Sequence, residues 1–232
     1  MSTTAFIFFG LVKNYDSIIG SFHKYISPAL TDADYFLVTS RITKLRHTWN
    51  KDLGAELKPD SILKHFKFRD VWYDGLEDDE SAFAKELKDK TTYYVCAFGS
   101  HWTDMPWTCT YNSLKQLYSL KLLYNEFTKK QYSYKTYVLC RGDAFFESPL
   151  DAKHLTLGAS DIVLPDFEEH KGLNDRFGIM NEKAFKVYCS RYDNIMGNPK
   201  TYHAERLLAE VVSKSGLKLS KISDPKFTLL RL

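Results

Sequence analysis

Residues 132–150 read YSYKTYVLCRGDAFFESPL. An alternating, β-rich run from Tyr134 to Cys140 breaks at Gly142, which delivers Arg141 and Asp143 where a buried strand would reach the surface. In an open α/β sheet, ligands bind at the carboxyl ends of the strands, so a charged turn there suits a phosphate, a metal or both. Taken alone, the stretch is better read as a surface ion pair at a strand end. What surrounds it changes that weighting.

Immediately upstream, Tyr111 to Lys129 carries Leu114, Leu117, Leu120, Tyr124 and Phe127 on one helical stripe, with Lys129 and Lys130 at the negative end of the dipole. Near the start, AFIFFGLV (5–12) is a continuous apolar run, the pattern of a buried first strand. Asp16 then caps an expected helix with Ile18, Ile19, Phe22, Tyr25 and Ile26 inward, closed by Pro28. DYFLVTSR (34–41) supplies a second buried strand. Two strands around one amphipathic helix form a βαβ unit, hence a parallel pair with a right-handed crossover.

Residues 59–66 read as a short helix, 68–74 as a third strand and 91–98 as another. The acidic run 77–80 reads as a helix start, with metal binding by Asp78 and Glu80 as the alternative. Beyond the opening stretch, DIVLPDF (161–167) and the end of HKGLNDRFGIMN (170–181) read as strands. EKAFKVYCSRY reads as one helix with Phe185, Tyr188 and Tyr192 inward, and AERLLAEVVSKS as another that stops at Gly216. LKLSKI and KFTLLRL close the chain as short strands. The expected fold is α/β: one domain with a mixed, mainly parallel sheet flanked by helices. Residues 1–143 would form a nucleotide-binding half, and 144–232 an acceptor-side half on the same sheet.

Composition narrows the classes. The 232 residues are 44% hydrophobic and 15% aromatic, ample for a packed core. A net charge of +3 is too balanced for a nucleic-acid footprint, and KHFKFR (64–69) reads as a solvated face. Cys96, Cys109, Cys140 and Cys189 form no C-x-x-C pair, which fits reduced, buried thiols. With no apolar run long enough for a transmembrane segment and no basic signal start, the expected location is cytoplasmic.

The chain has no P-loop, no G-x-G-x-x-G, no H-E-x-x-H and no G-x-S-x-G. A nucleotide-sized α/β sheet without a phosphate loop must neutralise phosphates with a metal or with Lys and Arg side chains. At this point a family resemblance enters. The order of elements, with an Asp on the turn after a central strand, resembles the nucleotide-sugar glycosyltransferases of the GT-A fold, which usually carry Asp-x-Asp there. NSLKQLYSLKLLYNEF followed by YVLCRGDAFFESPL, then LNDRFGIMNEKAFKVY and HAERLLAEVV, resembles a subgroup whose strand ends in Arg-x-Asp and which includes viral enzymes that decorate a capsid glycan.

The resemblance implies a metal-dependent transfer of a sugar, glucose or rhamnose, from a nucleotide-diphospho-sugar, UDP-linked, to a glycan or glycoprotein. It implies Mn²⁺ or Mg²⁺ on Asp143, host-cytoplasmic location if the chain is viral, and the possibility that this domain is part of a longer multidomain protein. Arg141 departs from the usual motif, standing where the first Asp would be, and is assigned to a phosphate or the donor sugar. A purely structural Arg141–Asp143 pair is the alternative. Gly10, Leu11, Val12 and Lys13 after the first strand, and Thr39 and Arg41 after the second, should line the nucleotide crevice. Gln116 and Tyr118 would face the donor, although Tyr118 also reads as core. Asp175 and Glu205 are the candidate catalytic carboxylates, and Arg176 and His203 the candidate substrate contacts. Helix capping is the alternative for His203 and Glu205. The competing function is a non-catalytic glycan- or protein-binding module that uses Trp49, Trp72, Trp102 and Trp107.

Overall fold

The structure is a computed structural model that describes residues 2–44, 56–75, 106–197 and 204–230. The first strand, β1 (Thr4–Phe9), is buried along its whole length. Its side chains alternate with a period of two. Ala5, Ile7 and Phe9 enter one core, and Phe6 and Phe8 enter the other. A strand covered on both faces must be apolar throughout, which is why AFIFF shows no polar alternation. The strand ends at Phe9 and not at Val12, because Gly10 takes a φ of +81° and turns the chain out of the sheet.

The next elements follow as α1 (Ile19–Tyr25), β2 (Ala33–Thr39) and β3 (Phe68–Tyr73). Asp16 does not cap α1. It sits in a short 3₁₀ turn, Tyr15–Ser17, and pairs with Lys64 and His65 on the surface, while Ile18 precedes the helix without a side-chain cap. The expected short helix at 59–66 is a single 3₁₀ turn over Pro59–Ile62. The acidic run with Asp78 and Glu80, the strand expected at 91–98, and Trp49, Trp102 and His203 lie outside the described residues.

The long helix α2 (Pro106–Lys129) presents Leu114, Leu117, Leu120, Leu123 and Phe127 to the sheet and hands the chain to β4 (Thr136–Arg141). After it come β5 (Ala144–Phe146), β6 (Ile162–Pro165) and β7 (Phe177–Met180). The helix expected to be continuous through Tyr192 is two, α3 (Glu182–Cys189) and α4 (Arg191–Gly197). Ser190 departs from helical backbone at the joint (φ −78°, ψ 0°), and its hydroxyl donates to the Val187 carbonyl. Phe185, Tyr188 and Tyr192 are nevertheless all buried, as their spacing requires. Helix α5 (Ala204–Ser215), β8 (Leu219–Ile222) and β9 (Phe227–Leu229) complete the chain.

Among the described residues, seven strands form one sheet in the order β3-β2-β1-β4-β7-β6-β8. Strand β7 runs antiparallel to β4 and β6; every other neighbouring pair is parallel. Both halves of the chain therefore contribute to a single mixed, mainly parallel sheet with helices on its faces, one domain as the sequence pattern predicts. Strands β5 and β9 pair separately as an antiparallel ribbon. No described helix is long and apolar enough to cross a membrane.

Candidate functional site

Chain order along the sheet reverses at β1. From β1 the chain builds outward through β2 to β3, then returns to add β4 on the opposite side. Such a reversal opens a crevice beyond the carboxyl ends of the two central strands. Here the loop after β1 (Gly10–Lys13) meets the turn after β4 (Arg141–Asp143). The Gly142 amide donates to the Phe9 carbonyl at 2.9 Å. A β-carbon on Gly142 would lie 3.1 Å from Val12 Cγ2, so the two loops are in close contact. On the other side, the Arg141 amide donates to the Arg176 carbonyl at 2.9 Å, which ties the turn to the segment leading into β7.

The Arg141 guanidinium grips Asp143 with two hydrogen bonds, Nε to Oδ1 at 3.0 Å and Nη2 to Oδ2 at 2.9 Å. Planar, charge-assisted pairs of this kind are among the strongest side-chain contacts. Lys13 adds a second cation, its Nζ 3.8 Å from Asp143 Oδ2 while donating to the Leu230 carbonyl at 2.8 Å. The Asp143 side chain is 2% exposed and the Arg141 side chain 26%. One negative group is thus held beneath two positive ones, and the Nη1 edge of Arg141 lies outside the chelate.

That arrangement does not fit a divalent metal at Asp143. Both carboxylate oxygens are engaged by Arg141, and among the described residues no second carboxylate stands beside them where the guanidinium sits. Among the described residues no group of three or more His, Cys, Asp or Glu converges on a common point. Unit charges 4 Å apart interact by about 4 kcal/mol in a partly buried setting, and a divalent ion doubles that, so Mn²⁺ or Mg²⁺ next to Arg141 and Lys13 would be strongly opposed.

A second group of charges lies beside the first. Asp175, on the segment entering β7, is 3% exposed. Its Oδ2 accepts from Gln116 Nε2 at 2.8 Å and sits 3.6 Å from Arg191 Nη1. Its backbone carbonyl accepts from the Tyr188 hydroxyl at 2.5 Å. Burial lifts the Asp175 carboxyl above its ordinary range, with the Glu205 charge adding to the rise and Arg191, Arg141 and Gln116 opposing it. Glu205, in the first turn of α5, receives a long contact from Arg176 Nη2 at 3.4 Å, and Arg176 also bonds Glu168 and His170. Glu205 is therefore an ion-pair partner of Arg176, in the place where a helix dipole favours a carboxylate.

The loop that carries this group is shaped by backbone geometry. Glu168, His170 and Lys171 all have positive φ, a costly conformation for residues with side chains. Gly172 then lies so close to α5 that an added β-carbon would come within 2.2 Å of the Glu205 backbone. The Leu173 amide donates to the Glu205 carbonyl at 2.9 Å, which fixes α5 against the segment carrying Asp175.

Several expected residues take other roles. Thr39 is fully buried and its carbonyl accepts from the Asp74 amide at 3.0 Å, so its side chain belongs to the core. Val12 is likewise buried packing, whereas Gly10 and Leu11 are partly open. Arg41 lies over the Tyr73 ring at 4.2 Å. Tyr118 does not share the face of Gln116. Two residues apart on a helix means nearly opposite directions, and Tyr118 packs edge-on against Tyr192 at 5.5 Å. Trp72 stacks on Phe36 within 3° of parallel, as a packing residue.

Sequence reasoning missed Arg191, fully buried with Nε on the Tyr188 carbonyl at 2.8 Å and, among the described residues, no hydrogen-bond partner for Nη2. It also missed Asp74, which accepts from Ser40 at 2.6 Å and Ser119 at 2.8 Å at the carboxyl end of β3. A charged residue inside an otherwise apolar helical stripe was the available signal for Arg191. Two open clefts, of about 600 Å³ beside Tyr35, Phe66 and Arg69 and about 380 Å³ beside Tyr25 and Phe145, lie away from this crevice. Charge and topology single out the β1/β4 edge.

Residues 115–229 match the family described as "Domain of unknown function (DUF7796)". That segment runs from α2 to β9 and so includes Arg141, Asp143, Asp175, Arg191 and Glu205. No curated protein matches the chain.

Proposed function

We propose that the chain is a glycosyltransferase of the GT-A type, taking a nucleotide-diphospho-sugar, UDP-linked, as donor and a glycan as acceptor. The observation that carries this reading is the shared position of two unlike charge groups. Arg141 chelates Asp143 at the topological switch and also lies within the field of Asp175 and Glu205. An anion-binding head and a pair of buried carboxylates therefore face one edge of the sheet.

The chemistry of sugar transfer uses both. Breaking the bond from the anomeric carbon to the diphosphate concentrates negative charge on the leaving oxygens. The outer edge of Arg141, backed by Lys13, meets that charge with preformed donors. Asp175 and Glu205 accept hydrogen bonds from sugar hydroxyls, and a carboxyl raised by burial is suited to take the proton that the acceptor hydroxyl releases. Gln116 and Arg191 hold Asp175 in one orientation for that role.

A panel of nucleotide sugars screened by thermal shift tests the reading, followed by assay of nucleoside-diphosphate release from any donor that stabilises the fold. At least one donor should raise the melting temperature and be turned over. Asp175→Asn should keep that stabilisation while slowing release by about 10²- to 10⁴-fold, the ordinary worth of an acid–base group. Absence of stabilisation and release across the whole panel would sink the proposal.

A further inference from the structure

The site that binds the diphosphate does so, we infer, without a divalent cation: Arg141 takes the metal's place as the group that meets the phosphates, with Lys13 as its support. This rests on the nucleotide-sugar reading and specifies how that reading handles charge. The carboxylate that would hold a metal is already committed, with Oδ1 and Oδ2 at 3.0 and 2.9 Å from Arg141 and Lys13 at 3.8 Å from Oδ2. At the turn itself two cations, Arg141 and Lys13, face one anion, while the carboxylates that Arg141 also senses, Asp175 and Glu205, stand on the neighbouring segment and helix. An anion is the complement of that arrangement, and a second cation is not.

The geometry of the fork supports the same assignment. Arg141 spends Nε and Nη2 on Asp143, which fixes the plane of the guanidinium and leaves the Nη1 edge for a ligand. Asp143 thereby becomes a positioning residue. Its carboxylate, 2% exposed, holds Arg141 in one orientation and does not itself touch the donor. Lys13 is locked from the far side by the Leu230 carbonyl at 2.8 Å. A phosphate approaching the turn finds rigid, prepaid donors, as a metal-bound site would otherwise offer.

The test is calorimetric titration of the full chain with uridine, guanosine and thymidine diphosphates, once in EDTA and once in excess Mn²⁺. The expected result is one nucleoside diphosphate binding with dissociation constants that agree within about twofold in the two buffers. Arg141→Gln should weaken that binding about tenfold or more in both. Arg141→Asp, which supplies a second carboxylate, should lose binding in EDTA and regain it in Mn²⁺. Circular dichroism melts identify any variant that fails to fold, and the wild-type comparison then decides alone. Binding by the wild type only in Mn²⁺ would overturn the inference while leaving the donor reading intact. No binding of any diphosphate in either buffer would overturn that reading and the inference with it.

Discussion

Asp143 and Asp175 are about equally buried, 2% and 3% exposed, and stand at the ends of adjacent strands, yet their surroundings are opposite. Asp143 is flanked by Arg141 and Lys13, with two short charge-assisted bonds. Asp175 has one neutral amide donor at 2.8 Å, one guanidinium at 3.6 Å and a second carboxylate, Glu205, close enough to raise it further. Depth alone does not decide what a carboxylate does. Two close cations make the first a clamp for a guanidinium, whereas burial and the Glu205 charge outweigh Arg191 and Arg141 and leave the second reluctant to ionise.

The contrast breaks most visibly at the clamp. Asp143→Ala leaves two cations facing each other at a strand end, and removing one partner of a buried pair costs about 3 kcal/mol or more. For a chain of this size that lowers the melting temperature by about 6 °C or more, read by differential scanning calorimetry. An unchanged melt would mean that the pair is as loose as a surface contact. Next in size is Gly172→Ala. Its β-carbon would collide with the Glu205 backbone, so α5 must shift away from Asp175. A loss of about 1–3 kcal/mol in urea titrations is expected, with turnover falling alongside stability.

The smallest effect has the opposite sign. Because folding raises the Asp175 carboxyl, the unfolded chain ionises first as pH climbs through the ordinary carboxyl range, and the fold loses stability until pH passes the raised value. Above that point the penalty is complete, and below about pH 4 it is absent. Asp175→Asn should therefore match or exceed the wild type in stability at neutral pH by up to about 1 kcal/mol, with the advantage gone in acid. Urea midpoints at pH 7 and pH 3.5 check this. A destabilised Asn variant at pH 7 would show that Arg191 and Gln116 compensate Asp175 fully, and the contrast with Asp143 would close.

Where the sequence was informative, it was so through periodicity. AFIFF and YVLC announce strands covered on both faces, and Leu114 to Phe127 announces the helix that covers one of them. The turn at Gly142 was legible because a glycine interrupts an apolar run between two charges. The sheet order was not, since β7 enters between β4 and β6 against their direction, and nothing in FGIM specifies its neighbours. The bidentate grip of Arg141 on Asp143 is not dictated by sequence, because residues two apart can equally diverge. Arg191 stayed hidden for a different reason. Its partners, Asp175 on the segment before β7 and Ala204 at the start of α5, meet only once α3, α4 and α5 have packed.

The contact between Lys13 and Leu230 also fixes when the crevice can exist. These residues are 217 positions apart, and the Leu230 amide donates in turn to the Asp143 carbonyl at 2.7 Å. The Leu230 carbonyl comes within reach of the lysine only once β9 has been made and has paired with β5. A nascent chain, or one clipped just before β9, would hold most of its core and still lack the anchored cation. The position of Lys13 thus depends on a contact that joins the loop after β1 to the segment after β9.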